Sequence, residues 1–111
     1  DGLIDWNFDA ATIVNRIRGF QPFPTSYSFL DGRKITFWNA SIGDDQSALP
    51  GAIVQIEKDS FSVACGGDSA IRVLDVQPEG KRRMSAADFL NGFRLNVGSV
   101  FDSTVKRLWF R

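Results

Sequence analysis

From Thr25 to Gln77 the chain is interrupted at short intervals by turn residues, and this spacing constrains the fold more than any other feature. "TSYSFL" and "RKITFWNASI" flank Asp31-Gly32, a strong two-residue hairpin signal. "AIVQIE" and "SFSVAC" flank Lys58-Asp59 as a second hairpin, and "GGDS" (Gly66 to Ser69) turns into "AIRVLDVQ". "DDQSALPG" (Asp44 to Gly51) is a polar loop that ends on Pro-Gly. Five strands joined mostly by tight turns are the expectation. Their apolar residues fall on both faces in places: Ile35 and Phe37 against Trp38, and Ile71 and Val73 against Leu74 and Val76. Strands covered on two sides predict a small, closed or nearly closed β-barrel with helices against it.

Two helices frame these strands. Asp9 can cap "AATIVNRIR", which Gly19 ends, and its apolar stripe holds Ile13 and Ile17 with Ala10 and Val14 beside them. In "GFQPFPTS", Pro22 and Pro24 hold the backbone extended. Residues 1–26 therefore read as a linker and helix ahead of the body, with Phe20 and Phe23 packing between the two. After the fifth strand, Ser85 and Asp88 have capping-box spacing, Met84 and Phe89 occupy the staple positions, and Gly92 can stop the helix. This short helix should plug one end of the barrel with Phe89, Leu90 and Phe93. The ending "FDSTVKRLWFR" fits either an added strand or an extension.

Composition narrows the chemistry. The 111 residues suit one domain, and ten Phe and three Trp make its core aromatic. No apolar run approaches the roughly 20 residues of a membrane helix. The start at Asp1 lacks a Met and a signal-peptide pattern, so it reads as a fragment boundary. There is no His, which removes the commonest general base and metal ligand. The single cysteine, Cys65, alternates as a core residue, and it leaves no disulfide framework or cysteine-built metal site. "CGGDSA" lacks the P-loop lysine and precedes a strand, while Asp44 and Asp45 read as turn formers. The chain does not read as a self-sufficient enzyme.

Charge is where the sequence points outward. The chain is neutral, yet residues 1–80 hold six Lys+Arg against eleven Asp+Glu, and residues 81–111 hold seven against two. Lys81, Arg82 and Arg83 stand together just before the capped helix. A fixed basic loop of this kind suits a polyanion.

Several segments in order resemble one family. "IDWNFDAATIVNRIRGFQPFPTSYSFLDGRKITFWNA" and "PGAIVQIEKDSFSVACGGDSAIRVLDVQPEGKRRMSAADFLNGFRL" are similar to the C-terminal domain of methionyl-tRNA formyltransferases. The resemblance covers roughly residues 3 to 100 and includes the family's I-R-G, P-x-P and Q-P-x-G-K segments; the residues from Phe101 onward have no counterpart in it. It implies a mainly β, OB-like Greek-key barrel over 27–111 in a cytoplasmic enzyme. Such enzymes move a formyl group from 10-formyltetrahydrofolate to the methionine of initiator Met-tRNA. The resemblance places the catalytic residues and the formyl donor in an N-terminal catalytic domain, leaving no catalytic residue, cofactor or metal for this segment. It implies tRNA contacts at Lys81 and Arg82, then Arg83, with Arg33 and Lys34 secondary. Arg18 either touches tRNA or pairs with a carboxylate. Related barrels that follow a folate hydrolase domain or a sugar formyltransferase bind no tRNA, which leaves a purely structural role as the alternative.

Overall fold

A computed structural model describes residues 2–102, and its strands start and stop at the turns named above. β1 (Ser26–Leu30) and β2 (Arg33–Ile42) pair antiparallel with Leu30 opposite Arg33. Between them Asp31 and Gly32 take φ of 52° and 80°, the left-handed pair that a type I′ turn requires. β3 (Ile53–Ile56) and β4 (Phe61–Cys65) form the second hairpin, and β5 (Ser69–Pro78) runs between β4 and β2. A sixth strand absent from the sequence expectation, β6 (Met84–Ser85), pairs with β5. The sheet order is β1-β2-β5-β4-β3, with β6 beside β5.

The break in alternation on β2 and β5 has a local cause. Ala40 pairs with Val73 and Phe37 with Val76, and the register shifts between them, leaving Trp38 and Leu74 unpaired in the ladder. Ile35, Phe37 and Ala40 on β2, and Ile71, Val73 and Val76 on β5, are therefore all buried. Much of what resembles two-sided burial is one inward face with a phase change. Trp38 and Leu74 are half-buried. The second face is covered toward the start of β5, where Ala70 pairs with Ala64 and both are buried.

The ladder does not join β1 directly to β3, as a closed barrel would. Both edges bond instead to residues 98–102. Phe29 and Asp102 exchange backbone bonds of 3.0 and 2.9 Å. The Ile53 N–H donates to the Ser99 carbonyl, and the Phe101 N–H to the Gly51 carbonyl, each at 2.8 Å. Gly51 is required here: its φ is +95°, and a Cβ would stand 2.5 Å from the Phe101 carbonyl. Phe101 and Asp102 thus begin the expected tail as edge-bonded residues, whereas 103–111 lie outside the described residues.

α1 (Ala10–Gly19) starts where Asp9 accepts the Thr12 N–H at 2.9 Å. Its face of Ala10, Ile13, Val14 and Ile17 is buried, as are Ile4 and Trp6 before it, all in one cluster with the strand residues. After it the chain does not run extended. The Thr25 N–H reaches back to the Phe20 carbonyl at 2.8 Å and closes a turn. Proline fixes φ but leaves ψ free, so two prolines alone do not enforce extension. That turn pushes Phe23 outward to 85% exposure, contrary to the packing expected of it. α2 (Ala86–Gly92) is capped by Ser85, which accepts the Asp88 N–H at 3.1 Å. Phe89 is fully buried, and Met84, Leu90 and Phe93 pack partly buried around the core.

The centre is aromatic. Phe101 lies 5.3 Å from Phe37, 5.8 Å from Trp6 and 6.2 Å from Phe61, between ring centroids. The Trp6 indole N–H donates to Ser28 Oγ at 3.0 Å, and Ser28 Oγ donates to the Asp102 carbonyl at 2.8 Å. The polar edge of a buried indole is thereby satisfied without water.

Candidate nucleic-acid interface

The β2–β5 register decides what surrounds the basic loop. Ile35 pairs with Pro78 and Thr36 with Gln77, so the start of β2 lies beside the end of β5. The Glu79 N–H donates to the Lys34 carbonyl at 2.9 Å, and the Lys81 N–H to the Pro78 carbonyl at 3.0 Å. Gly80 supplies the φ of +81° that this reversal needs. β6 then pairs Met84 with Val76 and Ser85 with Asp75. The cations are held between a turn and a strand pair, with the cap of α2 immediately after.

The three adjacent cations have unequal surroundings. Arg83 lies over the Trp38 ring at 4.9 Å, and its guanidinium stands 3.8 Å from the Asp75 carboxylate. Lys81 and Arg82 are exposed and carry no ion pair among the described residues. Beneath them, the Trp38 indole N–H donates to Gln77 Oε1 at 2.9 Å, and Gln77 Nε2 donates to the Lys81 carbonyl at 3.0 Å. Gln21 Nε2 donates to the Trp38 carbonyl at 2.6 Å and to the Ile17 carbonyl at 3.0 Å. Gln77, Trp38 and Asp75 were not singled out as site residues from the sequence. The available signal was their position: Gln77 directly precedes the loop, and Trp38 breaks an alternating strand.

The secondary candidates divide similarly. Lys34 Nζ lies 4.5 Å over the Tyr27 ring and Arg33 lies 5.0 Å over Phe93, and both are brought next to the loop through the Lys34–Glu79 bond. Arg18 is exposed near the end of α1, without a carboxylate partner among the described residues. Trp6 is a core residue at 5% exposure. Among the described residues no group of three or more His, Cys, Asp or Glu is placed to hold a metal ion.

Residues 1–94 match the family described as formyl transferase, C-terminal domain. The chain belongs to that family. The methionyl-tRNA formyltransferase of Lysinibacillus sphaericus is 40% identical over 101 residues, which cover 88% of this chain and 32% of that protein. The enzyme of the same name from Citrifermentans bemidjiense is 41% identical over 100 residues, covering 90% and 31%. This formyl transferase C-terminal domain thus spans about a third of the length of the curated relatives it matches. The crystal structure of HypX from Aquifex aeolicus in complex with tetrahydrofolic acid superposes with a TM-score of 0.66. It is 18% identical and covers 85% of this chain and 17% of that one, so the likeness is one of fold.

Proposed function

We propose that this chain is the tRNA-binding C-terminal domain of a methionyl-tRNA formyltransferase and grips initiator Met-tRNA through phosphates at Lys81 and Arg82. The observation that carries this reading is that those two side chains are exposed and unpaired among the described residues, on a loop fixed at both ends. Phosphate oxygens take up such cations without any reading of bases. Arg33 and Lys34 extend the basic end, and Arg18 is a more distant contact. In this reading residues 1–26 join the barrel-like body to an upstream catalytic domain. That domain binds 10-formyltetrahydrofolate and performs the acyl transfer in the cytoplasm, while this part orients the tRNA.

The whole chain is neutral, so its own affinity is weak and strongly salt-dependent. The test is a gel shift of this chain with initiator tRNA over a salt series. A retarded band at low salt that disappears as salt rises supports the proposal. No band even at low salt overturns it and leaves a purely structural domain.

A further inference from the structure

We infer that Gln77 and Trp38 are positioning residues, a brace that sets the direction of the basic loop without touching RNA themselves. The inference rests on the reading of Lys81 and Arg82 as phosphate contacts. An indole N–H can only donate, so Gln77 must turn its Oε1 toward Trp38. Its two amide hydrogens are then left facing the other way, toward the Lys81 carbonyl at 3.0 Å. The orientation of one side chain is dictated by a ring on β2 and transmitted to the backbone of the loop. Trp38 is itself fixed from two further sides: Gln21 Nε2 holds its carbonyl at 2.6 Å, and Arg83 covers its ring at 4.9 Å.

The irregular register explains why a tryptophan is available here. Trp38 has no partner on β5, so its ring leaves the alternation of the ladder and lies toward Gln77. Arg83 completes the arrangement as a cation paired with Asp75 at 3.8 Å. The three consecutive cations thus have two roles. Arg83 closes the brace, and Lys81 and Arg82 are what the brace presents.

The test compares five forms of this chain: wild type, Gln77→Met, Trp38→Phe, Lys81→Ala with Arg82→Ala, and that double variant with Gln77→Met added. Gln77→Met keeps length and net charge but removes both hydrogen bonds; Trp38→Phe keeps a six-membered ring and removes the N–H together with the five-membered ring that carries it. Each single change is expected to weaken binding of initiator tRNA about three- to tenfold at low salt, the range of a hydrogen bond's net contribution, because each interrupts the same path from Trp38 to the Lys81 carbonyl. Amide exchange at Lys81, whose N–H is bonded to the Pro78 carbonyl, should quicken while exchange at Val63 and Val73 stays at the wild-type rate. In the double variant, Gln77→Met should add nothing. Wild-type binding and exchange in Gln77→Met, or a full additional loss in the double-variant background, overturns the brace. If instead the double variant binds tRNA as the wild type does, the tRNA reading falls. Loop exchange then decides the brace alone: faster exchange in Gln77→Met sustains it, and unchanged exchange ends it.

Discussion

The guanidinium of Arg83 lies 4.9 Å above the indole ring of Trp38, whereas Lys81 and Arg82, the two residues before it, have neither a ring contact nor an ion pair among the described residues. A cation over a ring with a carboxylate 3.8 Å away has already lost part of its field. Under the proposed tRNA-binding function, the salt dependence of binding separates the two kinds of residue. Each phosphate neutralised contributes about 0.7–0.9 to the slope of log affinity against log salt. Lys81→Ala with Arg82→Ala should reduce that slope by about 1.5 in magnitude. Arg83→Ala should change it by less than about 0.5, since its charge is matched by Asp75. Equal effects from all three positions would show that the pairing seen here is not kept when RNA binds.

Helix α1 carries a pH-dependent cap. The backbone and side chain of Thr12 bond the Asp9 carboxylate and hold its pKa below the ordinary 3.8. Folding therefore favours the ionised form. The contribution is fully present above about pH 4 and fades as pH falls through the lower folded value. Asp9→Ala should lower the melting temperature at pH 7, and the gap to wild type should narrow at pH 2. Melting curves by circular dichroism at the two pH values check this, and a gap that persists undiminished in acid would assign the effect to something other than the charge.

What the sequence makes legible here is short-range chemistry. Asp31-Gly32 and Asp9 are local decisions of backbone and cap, and each appears where it was expected. The register shift around Trp38 is not local. A break in alternation has the same pattern whether the far face is covered or the phase slips, and only the pairing of Ala40 with Val73 and Phe37 with Val76 distinguishes them. The bonds of residues 98–102 are mainly backbone bonds to strands far away in the chain, and "VGSVFD" carries no periodicity to announce them. The site divides the same way. Three cations are plain in "GKRRM", but their unequal surroundings come from Asp75 and Trp38, which the sheet brings in from two other strands.

Cys65 should be inert while the domain is folded. It is 1% exposed, and burial pushes its thiol up to about 12. The thiolate is the reactive species, so at pH 8 a thiol-specific reagent should label Cys65 only at the rate of unfolding, and quickly in denaturant. The raised value also sets a pH trend. Its stabilisation is complete below the ordinary 9.0 and is lost as pH rises toward about 12. Cys65→Ala should flatten the loss of stability between those values, measured as denaturation midpoints. Fast labelling of the native protein at pH 8 would contradict the burial described.

Phe101 should matter more to stability than its place near the end of the chain suggests. Its ring touches Trp6, Phe37 and Phe61, three aromatic residues from separate parts of the chain, and it is 1% exposed. Its backbone N–H also ties the segment to Gly51 at 2.8 Å. Replacing it with alanine removes a ring from a packed centre and leaves a cavity that neighbouring rings cannot close without breaking their own contacts. A loss of about 3–5 kcal/mol is expected for Phe101→Ala. The adjacent Val100 is 37% exposed, and Val100→Ala should cost less than about 1 kcal/mol. Urea denaturation of the two variants measures the contrast. A Phe101→Ala protein as stable as Val100→Ala would mean that residues 98–102 do not hold the two sheet edges in solution, because the ring that anchors them would then contribute nothing.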